Sequence, residues 1–369
     1  MIAAHTEMTA HPIPIQPARR LLVAGLLGSL LPADASALTR RSLKFPRDFG
    51  SHPDTRTEWW YATGHLRTGE REFGFQLTFF RSRLAATQEM KSAFAARQLI
   101  FAHAAVTDVS GGKLWHDQRI ARAGFGVAQA SETDTAIELR DWSLVRRNGK
   151  YEARVAGEGF HFTLTLEESQ PLLLQGDQGF SRKGPQPQQA SFYYSLPQLR
   201  VAGTLGLQGA DQPVQGTAWL DHEWSDELLH PQAVGWDWIG MNLFDGSALT
   251  AFRLRDRAHG ALWDGGSFRH PAMGPKARPH IFSPGEVIFR PVRYWTSALT
   301  RGKYPVEWIV RTPADFYTVK AIVDNQELDS RSSTGAVYWE GLSDLFDSNG
   351  KKVGRGYLEM TGYAKPLRI

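Results

Sequence analysis

Along most of the chain apolar and polar residues alternate with a period of two. In "EFGFQLTFF" Phe73, Phe75, Leu77 and Phe79 fall on one side, and Gly74, Gln76 and Thr78 on the other. In "FHFTLTLE" Phe160, Phe162, Leu164 and Leu166 oppose His161, Thr163, Thr165 and Glu167. Successive side chains of a strand point to opposite faces, so this pattern predicts strands with one buried face. Between the runs sit Gly111-Gly112, Asn148-Gly149, Asp245-Gly246 and Asn349-Gly350. Such pairs accept the positive φ of tight hairpin turns. Regularly spaced short strands with tight turns predict an all-β chain of antiparallel barrels or sandwiches. Three stretches depart from the alternation. Residues 84–99 are Ala-rich and read as a short helix or an ordered loop, residues 175–189 as a long Gly/Pro/Gln-rich loop, and residues 225–233 as a break.

With 369 residues the chain exceeds one ordinary core, which predicts two domains. An internal echo agrees. "WWYATGHLRTGEREFGFQLTFFR" opens on a Trp pair, turns, and runs into an alternating strand; "WDWIGMNLFDGSALTAFRLR" repeats that plan. The expected divisions are a leader over 1–37 and β domains over 43–227 and 228–369.

Composition narrows the function. Hydrophobic content of 42% is that of a globular protein. The net charge of +4 comes from scattered basic residues, with no block to track a phosphate backbone, so nucleic acid is not an expected partner. Cysteine is absent, which excludes disulfides, thiol catalysis and Cys-ligated metals. Arg19-Arg20, the apolar "LLVAGLLGSLL" and the small-residue exit Ala35-Ser36-Ala37 read together as an export leader, cut after Ala37. The twin Arg is compatible with the Tat route. The run is too short to span a bilayer and no other is long enough, so the expectation is a periplasmic or secreted protein that is not integral to the membrane.

Aromatic residues make up 11% of the chain, with 12 Trp, and they gather beside ionisable groups. "SHPDTRTEWWYATGHL" sets His52, Asp54 and Glu58 next to Trp59, Trp60 and Tyr61. Strand alternation points Glu58 and Trp60 one way and Trp59 and Tyr61 the other. In "WLDHEWSDE" Asp221 and Glu223 share one face, His222 and Trp224 the other; in "GWDWIG" Trp236 and Trp238 oppose Asp237. If these strands line one cavity, it has indole walls that stabilise positive charge. A carboxyl kept protonated there can act as general acid, which suits hydration of an alkene through a carbocation. The competing reading is that the rings are core, that Glu58 and Asp237 accept buried N–H bonds, and that His222 is a hydrogen-bond node. His52, Asp54 and His222 are the residues that could ligate a metal. No H-E-x-x-H, Walker A, Rossmann glycine or G-x-S-x-G pattern is present, and no metal or cofactor is expected.

"HPDTRTEWWYATGHL", "FAHAAVTD", "ASFYYSLPQL", "AWLDHEWSDELL", "GWDWIGMNLFDG" and "YWEGL…GRGYLEMTGY", in order over most of the chain, resemble the AttH-like family, which includes the carotenoid 1,2-hydratases. The resemblance implies two consecutive lipocalin-like β-barrel domains, a hydrophobic small-molecule ligand of isoprenoid or lipid-like character, and a link to ABC-transporter components. Its enzymatic alternative is a carotenoid 1,2-hydratase-like hydro-lyase, or an isomerase, acting on an alkene. In the hydratases a His-x-Trp element and a downstream Tyr-x-Asp carry the chemistry. His222-Glu223-Trp224 matches the first, whereas "SALTAFRLRD" has Phe252 and Arg253-Leu254 where the second would fall, and Asp256 lies beyond. The resemblance and the clusters then give Asp221, His222 and Asp237 as the catalytic candidates, with Asp221 as acid and His222 as its holder or relay. The ligand-binding candidates are His52, Asp54, Glu58, Trp59, Trp60, Tyr61, Trp224, Trp236 and Trp238.

Overall fold

The computed structural model describes residues 38–227, 229–274 and 278–367. The expected leader and its cleavage site lie outside the described residues. The described residues form one compact unit. In chain order the first sheet contains β1 (Thr57–Thr68), β2 (Arg71–Arg83), β3 (Gln98–Asp108), β4 (Lys113–Arg122), β5 (Ala128–Ala130), β6 (Ala136–Leu139), β7 (Trp142–Arg147), β8 (Lys150–Gly157), β9 (Phe160–Glu167), β10 (Leu173–Leu174), β11 (Phe180–Arg182), β12 (Ala190–Leu207) and β13 (Ala210–Glu227). The second contains β14 (Gly235–Leu243), β15 (Ala248–Arg255), β16 (Ala261–Arg269), β17 (His280–Phe282), β18 (Ile288–Thr296), β19 (Lys303–Arg311), β20 (Phe316–Ala321), β21 (Glu327–Ser330), β22 (Ala336–Phe346) and β23 (Lys352–Thr361). Among the described residues the helical elements are three short 3-10 turns.

Both sheets are antiparallel meanders that return on themselves, giving two lipocalin-like barrels, the first nearly closed. The first runs β4-β3-β2-β1-β13-β12-β9-β8-β7-β6-β5, the second β17-β16-β15-β14-β23-β22-β20-β19-β18. In each, the first strand pairs with the last, β1 with β13 and β14 with β23. The two "Trp pair" segments of the sequence are therefore β1 and β14, equivalent strands of equivalent sheets. The predicted turn pairs fall between strands. Asn148 and Gly149, both at positive φ (51° and 74°), join β7 to β8. The Ala-rich stretch forms a 3-10 turn at Ala85–Thr87 and a loop, not an α-helix. The expected long loop over residues 175–189 is interrupted by β11, which pairs with β12.

Alternation sorts the side chains into three buried layers. Trp60, Phe75, Trp142, Phe162, Leu220 and Trp224 fill the first barrel. Ile239, Met241, Trp308, Trp339, Leu358 and Met360 fill the second. Between the sheets lies a third layer, Tyr61, Trp219, Trp238, Phe252, Leu342 and Tyr357, flanked by Trp59 and Trp236. The strands at the centre of each sheet are thus buried on both faces. Each large side chain removed from water there contributes about 1.5–3 kcal/mol.

Candidate functional site

The inward face of β1 carries Glu58 into the end of the first barrel. The 3-10 turn Arg47–Phe49 and the following Ser51-His52 fold over that end, with Phe49 packed into the core. Glu58 is fully buried and lies opposite both Arg81 and Trp224 in register. Its carboxylate accepts bonds from Ser51 Oγ (3.0 Å), the His52 backbone N–H (2.9 Å), His52 Nδ1 (2.7 Å), Arg81 Nε (2.7 Å) and His222 Nε2 (2.9 Å). Burial alone would raise its pKa; the bonds from His222 and His52 and the Arg81 charge hold it well below the usual carboxylate range. Burial pushes His222 down to about 4 against the pull of Glu58. Its Nδ1 lies 2.9 Å from Tyr194 Oη, and a neutral imidazole can accept there while donating to Glu58. His52 stacks on Trp224 with ring centroids 3.7 Å apart, and His222 on Trp60 at 4.4 Å. His52 Nε2 meets Asp48, which Arg41 grips at 2.7 Å with two nitrogens.

His52, Glu58 and His222 are the one group among the described residues whose donor atoms could share a metal ion, all within 4.8 Å. Glu58 Oε1 sits 2.7 and 2.9 Å from the two ring nitrogens, the lengths of N–H···O bonds.

The opposite face of the same strands builds a second site between the sheets. Asp221 accepts from Tyr193 Oη (2.7 Å), Ser195 Oγ (2.5 Å) and Trp219 Nε1 (2.6 Å). Trp238 Nε1, from the second sheet, donates to Tyr193 Oη at 3.2 Å. Burial lifts the Asp221 carboxyl to about 7 in spite of those three donors. Glu223 on the same face pairs with Lys183 at 2.9 Å and receives Ser191 Oγ. From the second sheet come Glu340 and Glu359, directly opposite each other on β22 and β23. Trp236 Nε1 donates to Glu359 at 2.9 Å. Burial raises Glu359 to about 8 and, with the neighbouring Glu359, lifts Glu340 well above the carboxylate range. Trp219 and Tyr357 also line a cleft of about 270 Å³ at the seam, with Thr63, Gln198, Asn242 and Arg355.

The residues singled out in the sequence are thus divided among compartments. His52, Glu58, Trp60, His222 and Trp224 converge inside the first barrel, while Trp59, Tyr61, Asp221, Trp236 and Trp238 face the seam. Asp221 and His222, adjacent in sequence, point to opposite faces, so His222 does not hold or relay for Asp221; Tyr193, Ser195 and Trp219 do the holding. Asp237 lies inside the second barrel, bound by Arg253 (2.7 Å), Arg255 (3.1 Å) and Tyr363 Oη (2.8 Å). Asp54 is exposed on the loop before β1. One cavity shared by all of them is not formed, because a single strand serves two layers. Asp256 caps the β15–β16 hairpin through the N–H groups of Ala258 and Gly260. Sequence reading passed over Glu340, Glu359, Tyr193 and Arg81. The signal for the two Glu was a single acid inside an apolar alternation, as in Tyr338-Glu340-Leu342.

A family model described as AttH-like matches residues 36–363. The chain is similar to an AttH-assigned protein of Nitrosomonas europaea of known crystal structure: 47% identity, 89% of this chain and 99% of that one covered, TM-score 0.81. Kievitone hydratase from Nectria haematococca shares the fold at 13% identity, covering 88% of this chain and 94% of its own, with a TM-score of 0.68. No curated protein sequence matches the chain significantly. With a model covering nearly all of its described length, and the two-barrel architecture that goes with it, the chain belongs to the AttH-like family.

Proposed function

We propose that the protein takes a hydrophobic, alkene-containing small molecule of isoprenoid or lipid-like character at the seam between its sheets, and adds or removes water there by acid–base catalysis. Asp221 is the group assigned to move the proton. The observation that carries this reading is the placement of a buried carboxyl, lifted to about 7, behind the Trp219 wall of an open cleft. A proton donor works best when its pKa lies near the working pH. Trp219, Trp236, Trp238 and Tyr61 supply the aromatic faces that favour a developing carbocation. The existence of a hydratase among proteins of this fold is in keeping with a hydro-lyase. The expected leader would place the reaction in the periplasm or outside the cell.

A carrier that binds such a molecule without changing it, serving an ABC transporter, is the second reading. It is favoured by the three donors that already engage Asp221. One experiment separates the two. Acyclic isoprenoid alkenes are incubated with the protein in isotopically labelled water, and products are read by mass spectrometry. The enzymatic reading expects labelled alcohol, with Asp221→Asn slowing its formation by about 10²-fold or more at unchanged melting temperature. Ligand bound and returned unaltered, or full turnover by Asp221→Asn, would reject it.

A further inference from the structure

Among the seam's polar atoms without a hydrogen-bond partner among the described residues are Tyr61 Oη and Glu340 Oε2. Both side chains are 4% exposed. A buried polar atom left unpaired costs about 1–3 kcal/mol, so such atoms call for an explanation. They come from different sheets, and the groups acting electrostatically on the Tyr61 hydroxyl are Glu340, Glu359, Tyr357 and Asp221. The hydroxyl shares the buried seam layer with that carboxyl cluster. The walls are Trp238, whose ring meets Tyr61 edge-on at 5.4 Å, Trp236, which holds Glu359, and Tyr357, which also lines the cleft.

We propose that Tyr61, Glu340 and Glu359 form a recognition site for the hydroxyl group of a neutral, otherwise apolar ligand held between the two sheets. The proposal rests on the seam being the ligand site and gives the substrate or product class: an alcohol, not an acid or an amine. A hydroxyl is donor and acceptor at once, and so are a phenol and an un-ionised carboxyl, so a ligand hydroxyl suits either orphaned atom chemically. A carboxylate ligand would bring an uncompensated charge into a buried layer where ionisation of Glu340 and Glu359 is already disfavoured. Burial favours the proton-bearing form of the Glu340–Glu359 pair at neutral pH, which removes the charge that an ammonium would seek.

The test uses four probes on one carbon skeleton: geraniol, geranic acid, geranylamine and the hydrocarbon myrcene. Binding to the purified protein is measured by calorimetry. At about pH 6.5, geraniol is expected to bind about tenfold or more tighter than the acid or the amine. Its affinity should fall as pH rises to about 9.5 and the carboxyl pair ionises. Glu340→Gln should keep geraniol binding and alter that pH dependence, which Glu359 then carries without its partner. Tyr61→Phe should weaken geraniol about tenfold and leave myrcene unchanged. Equal or tighter binding of the acid or amine, no geraniol binding, or an unaltered pH profile in Glu340→Gln would overturn the proposal. Binding and turnover separate it from the Asp221 reading. If Asp221→Asn turns over normally but the alcohol preference stands, the Asp221 assignment alone fails. If Asp221→Asn loses turnover and the preference is absent, the hydroxyl site alone fails.

Discussion

At the scale of the residue, Glu58 holds the end of the first barrel together. Arg81, itself buried, rests against it, and both imidazoles point at it. Glu58→Gln keeps the shape but leaves the Arg81 charge uncompensated; removing one partner of a buried pair costs about 3–5 kcal/mol. Urea unfolding should register that loss. Asp54→Ala on the exposed loop should stay within about 0.5 kcal/mol of wild type. Equal effects would remove the distinction between these two acidic residues. The sequence told which face each residue of β1 occupies, because alternation is a local property. It did not tell that Arg81 and His222 meet Glu58, because those partners are set by strand register across 23 and 164 residues. The adjacency of Asp221 and His222 in sequence suggests a common site, but a strand sends neighbouring side chains to opposite faces.

At the scale of the element, strands that serve two layers leave little room for change. Gly356 on β23 faces Met241 on β14, and a Cβ there would come within 2.0 Å of the Gly240 carbonyl oxygen. The obstacle is backbone and cannot swing away. Gly356→Ala is expected to destabilise by about 1–3 kcal/mol or more through overpacking, and to disturb the near-ultraviolet signal of the adjoining Trp238. An unchanged melting temperature would mean that β14 and β23 are not so closely apposed. The turns and most strands were legible because Asn-Gly and Asp-Gly pairs and alternation are strong local signals. The conformation of residues 84–97 was not, since an Ala-rich stretch without an apolar stripe encodes neither helix nor strand.

At the scale of the molecule, two buried polar systems respond to pH in opposite senses. In the first barrel Glu58 is held below its ordinary value and His222 is lowered from 6.5 to about 4. The His222 contribution is lost as pH falls from 6.5 towards 4, and that of Glu58 as pH falls further, through its depressed value. In the seam Asp221 is raised from 3.8 to about 7 and Glu359 from 4.5 to about 8. Folded protein then binds more protons than unfolded, so these contributions are complete at low pH and disappear as pH rises through those intervals. Between 4 and 6.5 the Asp221 and His222 effects oppose each other. Above neutrality the seam acts alone. Melting temperature should therefore fall from about pH 6.5 to about pH 9, and Glu359→Gln should flatten that limb while sparing the acid one. A decline unaffected by Glu359→Gln would place the responsible groups elsewhere.

The pairing of first strand with last in each sheet has a consequence for how the chain is made. The bond between Glu58 and His222 joins residues 164 apart, so the first barrel cannot close until its final strand is available. Contacts of such long range make folding slow and leave strand edges exposed meanwhile. A polypeptide still emerging from the ribosome would hold β1 with one side unsatisfied over the 164 residues that separate Glu58 from His222, a template for pairing with another copy. That delay lengthens the interval in which the unclosed chain is open to association with other copies.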